Sequence, residues 1–312
     1  MRQFGDLARW FEGRGGVLVA LSGGVDSALV ARAAFSRLGS SAVAVTADYR
    51  TLSREELDTA RSVCMEIGIR QIMLEYDELE NPDFARNDRS RCYHCRTELG
   101  GRLARLAERM GGSWCVVDGT HLDDLGDYRP GIEAMRQNRV RSPLVEVGFT
   151  KTDVRAAARE VGLSIHDKPS NACLASRIPW GERITAERLA RVELGERIVR
   201  QMSGAKQVRV RDIGGSARIE VEPEMLRMFD DVCGDDVCGD DDGCGSAVGH
   251  PAAALSGSEG SCYTLRRNGT NGCSLLKDIT KSLIMIGFSS VTLDPEGYRP
   301  GKLGGVIGRH IS

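Results

Sequence analysis

Apolar positions in the first half of the chain alternate between short runs and helical stripes. A β-rich apolar run from Val17 to Leu21 is followed by a glycine loop, Ser22 to Ser27, and a helical stripe, Ala28 to Leu38. The same order repeats, with strands predicted at 41–49, 70–76 and 113–120 and helices at 55–67, 98–110, 132–137 and 150–163. This alternation predicts an α/β fold, a doubly wound parallel sheet covered on both faces.

The pattern changes in an irregular connector at 167–185. A helix at 186–202, strands at 206–213 and 216–222, a short helix from Pro223, a helix at 275–286 and a strand at 289–294 follow. This order predicts two domains, an α/β domain at 1–178 and a small α+β domain at 179–312. A segment at about 231–273 is rich in Asp, Gly and Cys and is predicted to be an acidic loop that does not fold compactly. Its five cysteines leave a metal-binding role open.

Composition narrows the class of protein. The chain has 312 residues, of which 41% are hydrophobic and 28% charged, as in globular proteins with a substantial core. A net charge of −2 gives no reason to expect a nucleic-acid partner. No apolar run reaches the length of a membrane span and the N-terminus lacks a signal-peptide core, so we expect no membrane partner and a cytoplasmic location.

The motif "SGGVDS" at 22–27 predicts a phosphate-binding loop. Gly23 and Gly24 permit backbone N–H groups to point into one concavity, and the following helix adds its positive end. The hydroxyls of Ser22 and Ser27 can donate to phosphate oxygens, and Asp26 beside phosphates implies Mg²⁺. The motif resembles the pyrophosphate loop of the N-type ATP pyrophosphatases, which implies that ATP binds here.

Three further residues stand at the carboxyl ends of predicted strands, where ligands of such sheets bind. They are Asp48, Gly119 and Thr120, which we therefore assign to the nucleotide site. The acidic residues of the next segment, Asp123, Asp124 and Asp127, either hold Mg²⁺ or cap a helix, and the sequence leaves both readings open. It also leaves open whether His94 and His121 are ligands.

Ten cysteines are many for a cytoplasmic chain, where stable disulfides are rare. Cys64 and Cys115 lie in apolar segments and are interpreted as buried small hydrophobes. Cys92 and Cys95 have the spacing of two metal ligands, but a closed zinc site needs four and no second pair is nearby. Cys173 lies in the cationic connector, which favours a thiolate and an active-site position. A buried structural role remains the alternative for Cys173.

The strand at 206–213 carries a candidate anion site. Arg209 and Arg211 share one face because side chains alternate with a period of two. Paired guanidinium groups suit a phosphate, and the alternative is a pair of solvated charges.

Six motifs, in this order, resemble the LarE family over both predicted domains except the segment at 231–273. They are "SGGVDS", "CYHC", "GTHLDDLGDYRPG", "ACLASRIPWGERIT", "VRVRDIGGSARIEV" and "LDPEGYRPGKL". LarE proteins are ATP-dependent sulfur transferases in nickel-pincer nucleotide biosynthesis. The resemblance implies that the chain adenylates the carboxylates of pyridinium-3,5-dicarboxylate mononucleotide, releases pyrophosphate and forms thiocarboxylates.

The resemblance also implies roles for individual residues. Ser176 and Arg177 are expected to face the reacting carboxylate, and Arg299 to join Arg209 and Arg211 at the substrate phosphate. Glu196 is a weaker candidate for orienting substrate or metal. Family members form larger rings, so we expect a homo-oligomer.

Two sulfur sources are compatible with the family. In one branch the cysteine of the "ACLASR" motif, here Cys173, is sacrificed; in the other, three cysteines hold a [4Fe-4S] cluster. Cys92, Cys95 and Cys173 would leave one iron open for a sulfide, and we favour this arrangement. A zinc or structural role for the pair is the remaining reading. The rival functions are a tRNA-thiolating ATP pyrophosphatase and a non-catalytic sensor that binds nucleotide and iron.

Overall fold

A computed structural model describes residues 2–111, 113–126, 129–229, 264–265 and 274–299. The chain divides into two compact units, Met1–Ala190 and Arg191–Ser312. The predicted acidic loop at 231–273 lies outside the described residues, except for Thr264–Leu265, which form a short strand. Among the described helices, none is long and apolar enough to cross a membrane.

The first unit contains eight complete α-helices and four strands within its described residues. The helices are α1 Phe4–Arg9, α2 Val25–Leu38, α3 Arg54–Ile67, α4 Pro82–Ala85, α5 Arg91–Arg109, α6 Pro130–Gln137, α7 Pro143–Val147 and α8 Lys151–Glu160. The strands are β1 Gly16–Ala20, β2 Ala42–Asp48, β3 Arg70–Glu75 and β4 Trp114–Val117. Short 3₁₀ helices lie at Gly39–Ser41, Glu78–Glu80, Leu122–Gly126 and Leu174–Arg177.

The four strands form one parallel sheet in the order β3-β2-β1-β4. Alternate residues of β1 enter different cores: Val17 and Val19 pack among residues of α1, α2, α3 and α8, whereas Leu18 packs with residues of α5. The sheet is therefore buried on both faces, which confirms the predicted α/β class. Parallel pairing also places the ends of β1, β2 and β4 at one edge of the sheet.

Two helices begin earlier than the sequence pattern predicts. The helix predicted from Ala28 begins at Val25, so Asp26 lies in its first turn. The helix predicted from Glu98 begins at Arg91, so the "CYHC" motif forms the first turns of α5. The first turn of α2 belongs to the phosphate-loop motif, although Val25 is already buried, and the first turns of α5 carry the "CYHC" motif, so the pattern alone did not mark either beginning.

Most of the connector packs within the first unit. Asn87 Nδ2 donates to the backbone oxygens of Ile178, Pro179 and Glu182 at 3.3, 2.8 and 2.9 Å. The backbone nitrogens of Gly181 and Ile184 donate to the oxygens of Asn87 and Ala85. These bonds explain why the first unit continues past the expected domain end at 178.

The second unit is a small mixed sheet with helices. Its elements are the rest of α9 Ala186–Ser203, in which the unit boundary falls, together with α10 Ser274–Met285, β5 Val208–Ile213, β6 Ser216–Val221, β7 Thr264–Leu265 and β8 Val291–Leu293, and a 3₁₀ helix at Pro223–Met228. The strand order is β5-β6-β8-β7, with β5 antiparallel to β6 and β6 parallel to β8. Val210 and Ile219 pack against Ile279 and Leu283 of α10 in a core of its own.

Candidate active site

The phosphate loop joins β1 to α2 at the carboxyl edge of the first sheet. Gly23 has a φ of +82°, and a Cβ there would lie 2.5 Å from the Glu56 backbone oxygen, so glycine is required. Gly24 caps α2 in an extended conformation. The Ser27 hydroxyl donates to the Gly24 oxygen at 3.1 Å and accepts from the Ser22 backbone nitrogen at 3.3 Å. The loop thus closes on the N-terminus of a long helix, an arrangement that favours a bound anion.

Asp26 is paired with a lysine that the sequence interpretation missed. Lys151 Nζ donates to both carboxylate oxygens of Asp26, at 2.6 and 2.7 Å. His121 lies beside this pair, with Nε2 3.9 Å from Asp26 and 3.5 Å from Asp124. Lys151 begins α8, and its contact spans 125 residues of sequence. The one sequence signal for Lys151 is that it directly follows Thr150, a helix-capping residue, which predicts a fixed backbone position at the start of a helix.

The other predicted nucleotide residues lie at the ends of β2 and β4. A Cβ on Gly119 would lie 2.6 Å from the Ser27 backbone nitrogen, so Gly119 lets the segment after β4 touch the phosphate loop. Thr120 donates through its hydroxyl to Asp118 at 3.0 Å. Asp48 accepts from Arg54 Nη1 at 2.9 Å.

A cavity of about 200 Å³ opens beside the phosphate loop. The residues that line it come from the phosphate loop, the end of β2, α5, α8 and the connector, and they include Ser22, Asp26, Tyr49, Arg96, Lys151 and Cys173. The cavity therefore brings the predicted phosphate site and the predicted sulfur-donor cysteine together in the first unit.

The connector forms a tight turn around a buried arginine. Arg177 is 1% exposed, and its Nη1 donates to the backbone oxygens of Ala172 and Cys173 at 2.6 and 3.0 Å and to the Ser176 hydroxyl at 2.9 Å. Leu174 donates through its backbone nitrogen to the Thr51 oxygen at 2.9 Å. Ser176 and Arg177 thus shape the turn that leaves the Cys173 side chain exposed.

Three thiols share one electrostatic neighbourhood. Cys92 and Cys95 lie one turn apart on α5, with Cys92 exposed and Cys95 half-buried. Burial raises the pKa of the Cys95 thiol to about 12; Cys173 and Cys92 add to this rise and Arg96 opposes it. Among the residues that the structure describes, no three His, Cys, Asp or Glu side chains are grouped closely enough to hold a metal ion. The donor set suits a cluster, but its described positions do not form a closed site.

Arg96 is a second residue that the sequence interpretation missed. Its side chain is exposed to the cavity, and no hydrogen bond or ion pair joins it to another described residue. A Cβ on Gly131 of α6 would lie 2.8 Å from Arg96 Cγ, so α6 confines the stem of this side chain. The other cavity cations, Lys151 and Lys168, are paired with Asp26 and Glu56. Arg96 therefore offers its guanidinium group to an anionic ligand.

The remaining predicted residues lie in the second unit. Arg211 pairs with Glu220 through two hydrogen bonds of 2.5 and 2.9 Å, and Arg209 is 4% exposed and lies over the Tyr298 ring. Neither arginine is a solvated surface charge. Glu196 is buried and accepts from the Val210 backbone nitrogen at 3.3 Å. Arg299 is exposed, 3.8 Å from Glu296.

Comparisons with known proteins place this site in a family. Residues 16–84 match the family model of the queuosine biosynthesis protein QueC. The chain is 38% identical over 309 residues to the uncharacterized protein slr1717 of Synechocystis sp., covering 98% of this chain and 96% of that protein. It is 37% identical over 214 residues to the pyridinium-3,5-bisthiocarboxylic acid mononucleotide synthase of Lactiplantibacillus plantarum, covering 68% of this chain and 77% of the synthase.

A more distant relative matches about half of the chain. The chain is 31% identical over 167 residues to the NH(3)-dependent NAD(+) synthetase of Chlorobaculum tepidum, covering 52% of this chain and 59% of the synthetase. The parallel sheet and the phosphate loop point to the same family as the extended identity with the synthase. The chain belongs to the LarE family, and it is an ATP-dependent sulfurtransferase of the pyrophosphate-loop type.

Proposed function

We propose that the chain inserts sulfur into a nucleotide cofactor precursor, pyridinium-3,5-dicarboxylate mononucleotide. ATP adenylates a substrate carboxylate and releases pyrophosphate, and sulfur from the Cys173 side displaces AMP to give a thiocarboxylate. The observation that carries the proposal is that the phosphate loop and Cys173 line one cavity. The name of the Lactiplantibacillus relative supports the same substrate class.

At the phosphate end, we assign the ATP phosphates to the loop residues Ser22, Gly23, Gly24 and Ser27. Asp26 would hold Mg²⁺ together with phosphate oxygens, because carboxylates are the protein ligands that Mg²⁺ prefers. Lys151 already balances the charge of Asp26, and it lies close enough to meet the nucleotide phosphates when they arrive. We therefore add Lys151 to the residues proposed from the sequence.

At the sulfur end, we assign Arg96 to a substrate carboxylate. A planar guanidinium group binds a carboxylate through two parallel hydrogen bonds. The Arg96 side chain is exposed to the cavity that Cys173 also lines. Binding of one carboxylate here would hold the substrate while the phosphate end activates it. Ser176 and Arg177 then support the turn beside the reacting carboxylate.

The sulfur itself comes either from a cluster-bound sulfide or from Cys173. Cys92, Cys95 and Cys173 are the residues that would hold a [4Fe-4S] cluster, because three thiols are the donor type that such a cluster takes and Cys92 and Cys95 lie one turn apart on α5. When bound, such a cluster would supply an iron that carries an exchangeable sulfide. Iron analysis of anaerobically purified protein tests it, and the absence of iron and of charge-transfer absorbance would contradict it.

In the second unit we assign the substrate phosphate to Arg209, Arg211 and Arg299, with Glu196 as a candidate for orienting substrate or metal. Arg211 is held by Glu220 in a geometry that keeps its guanidinium plane fixed. We further propose that the chain acts as a homo-oligomer.

The function is tested by pyrophosphate release from labelled ATP. Release that depends on the pyridinium dicarboxylate nucleotide is the expected result. Release that depends on tRNA would indicate a tRNA thiolase instead, and no release with either would indicate a nucleotide-binding sensor. Arg96→Gln is expected to abolish the substrate-dependent release while ATP still binds, and Arg96→Lys to restore part of it.

Mass spectrometry of Cys173 after turnover identifies the sulfur source. Loss of H₂S from the side chain, about 34 mass units, leaves dehydroalanine and indicates sacrifice. An intact Cys173 after thiocarboxylate formation indicates sulfur delivered by another carrier, as the cluster proposal expects.

A further inference from the structure

A hydrogen-bonded path leaves the phosphate loop through Glu56. Lys168 Nζ donates to the Gly23 backbone oxygen at 3.3 Å and to Glu56 Oε2 at 2.9 Å. The other carboxylate oxygen, Glu56 Oε1, accepts from Asn171 Nδ2 at 3.1 Å. The Glu56 carboxylate therefore holds two connector residues, and one of them, Lys168, also bonds to the phosphate loop.

The path continues along the connector to the backbone of Cys173. Asn171 Oδ1 accepts from Arg177 Nη2 at 3.2 Å, and Arg177 Nη1 donates to the Cys173 oxygen at 3.0 Å. Most links involve a charged donor or acceptor, which makes them stronger than hydrogen bonds between neutral groups. The phosphate loop and the sulfur-donor segment are thus joined by named side chains rather than by proximity alone.

Glu56 is the junction of this path. It is 8% exposed and lies in the first turn of α3, where its backbone nitrogen donates to the Ser53 hydroxyl at 3.3 Å. A Cβ on Gly23 would lie 2.5 Å from the Glu56 backbone oxygen and 3.2 Å from Glu56 Oε2, so the phosphate loop packs directly on Glu56. The phosphate loop packs on Glu56, and the buried Glu56 carboxylate holds the connector residues Lys168 and Asn171. A shift of the loop is therefore transmitted to the connector, because breaking either bond would leave a buried charge without its partner.

We propose that Glu56 is a positioning residue that couples the phosphate loop to the Cys173 segment, so that ATP bound at the loop sets where the sulfur donor stands. This inference rests on the proposed function, in which the acyl-adenylate forms at the loop and is attacked from the Cys173 side. A misplacement of about 1 Å lowers the rate of such an attack by about a hundredfold. Without the link, water hydrolyses the acyl-adenylate, which returns the carboxylate and releases AMP and a proton.

Two variants and one control test the coupling. Glu56→Gln removes the ion pair with Lys168, and Asn171→Ala removes the link on the exposed side of the path, where folding depends least on the side chain. Glu55→Gln is the matched control, because it removes the same charge from an exposed position on the same turn of α3. Thermal midpoints verify that all four proteins are folded.

The first readout is the amount of thiocarboxylate formed per pyrophosphate released in the presence of the pyridinium dicarboxylate nucleotide. We expect this ratio to fall about tenfold or more in Glu56→Gln and Asn171→Ala, with pyrophosphate release retained, and to stay at the wild-type value in Glu55→Gln. A merely structural role would lower both products together and leave the ratio unchanged, and that result would overturn the proposal.

The second readout needs no substrate. In the wild-type protein, ATP is expected to change the rate at which iodoacetamide alkylates Cys173, and this effect is expected to vanish in both variants. Persistence of the ATP effect in Glu56→Gln and Asn171→Ala would also overturn the coupling. If the wild-type protein releases no pyrophosphate with the nucleotide substrate, the proposed function fails, whereas the alkylation experiment still decides on Glu56.

Discussion

At the scale of single residues, the nucleotide site depends on positions where a side chain is forbidden. Gly23 and Gly119 both face backbone atoms at distances that no Cβ can occupy, and both contacts join segments far apart in the chain. Gly119 allows the segment after β4 to reach the N-terminus of α2, and Gly23 allows the phosphate loop to pack on the first turn of α3. The shape of the phosphate site therefore depends on the two glycines that lack a side chain as much as on the groups that donate hydrogen bonds.

Gly119→Ala is expected to disrupt ATP binding. The new Cβ would lie 2.6 Å from the Ser27 nitrogen and 2.9 Å from Ser27 Cα, so backbone must move on one side. We expect a cost of about 1–3 kcal/mol in the free energy of unfolding and an increase of about tenfold or more in the Kd for ATP, measured by denaturant unfolding and calorimetry. Gly126→Ala, at a position with nothing within 4 Å, is the control. Equal ATP affinity in the two variants would contradict this account.

Residues of this kind mark the limit of what the sequence could predict. The position of Gly119 beside the phosphate loop was predictable because it lies at the carboxyl end of a predicted strand, and strand ends converge at one edge in a parallel sheet. The positions of Lys151 and Arg96 were not predictable, because the local pattern of a helix does not show that its side chains line a cavity built from distant segments. Arg177 was assigned to the substrate from a motif, whereas its packing around backbone oxygens becomes visible only in three dimensions.

At the scale of elements, the side chains of the site are positioned by the beginnings of α2, α5 and α8 and by the contact between α5 and α6. Alternating strands and helices predicted the α/β sheet correctly because apolar periodicity follows burial. The early beginnings of α2 and α5 were missed because their first turns carry motif residues, Asp26 and Ser27 in α2 and Cys92 and Cys95 in α5, that interrupt the apolar stripe. The N-terminal ends of α2 and α5, which contribute residues to the candidate site, are thus the helix ends that the hydrophobic pattern predicts least well.

Gly131→Ala tests whether the crossing of α5 and α6 holds Arg96. The added Cβ would lie 2.8 Å from Arg96 Cγ and would push this stem away from its position. We expect substrate-dependent pyrophosphate release to fall about tenfold, with ATP affinity unchanged, because only the carboxylate-binding end moves. The control is Gly101→Ala on α5, where a Cβ would make ordinary contacts of 3.6 Å or more. Loss of ATP affinity in Gly131→Ala would point to a general disturbance instead.

The capping box at the start of α8 is expected to make the stability of the fold depend on pH. Thr150 and Asp153 form a capping box, and hydrogen bonds from Thr150 hold the pKa of Asp153 below its usual value. A lowered folded-state pKa stabilises the fold above the unfolded pKa of about 3.9, and the contribution disappears as pH falls through the folded value.

Asp153→Asn is therefore expected to destabilise the protein at pH 5–7, and the difference from wild type should shrink below about pH 4. Urea unfolding across this range measures it. Asp58→Asn, an exposed change on α3, is the control that should show a smaller difference. A difference in the free energy of unfolding that stays constant down to pH 2 would contradict a role for the ionised Asp153 carboxylate. The capping box would then not explain how Lys151, the first residue of α8, is held in position.

At the scale of the whole molecule, the two units carry different parts of the proposed chemistry. All proposed ATP ligands and the three proposed cluster cysteines, Cys92, Cys95 and Cys173, lie within Met1–Ala190. The proposed substrate-phosphate arginines lie within Arg191–Ser312. Each unit has its own hydrophobic core among the described residues. We therefore expect bound nucleotide to raise the free energy of unfolding of the first unit more than that of the second.

Tryptophan fluorescence can follow that unit selectively, because all three tryptophans, Trp10, Trp114 and Trp180, lie in it. ATP at a hundred times its Kd stabilises a protein that binds it only when folded by about 2.7 kcal/mol. We expect Mg²⁺-ATP to raise the fluorescence-detected unfolding midpoint accordingly. Asp26→Asn should remove most of the shift, because it removes the proposed Mg²⁺ ligand while leaving the tryptophans untouched. An unchanged fluorescence midpoint with ATP, together with a shifted far-UV circular dichroism transition, would place the nucleotide in the second unit and contradict the assignment to the phosphate loop.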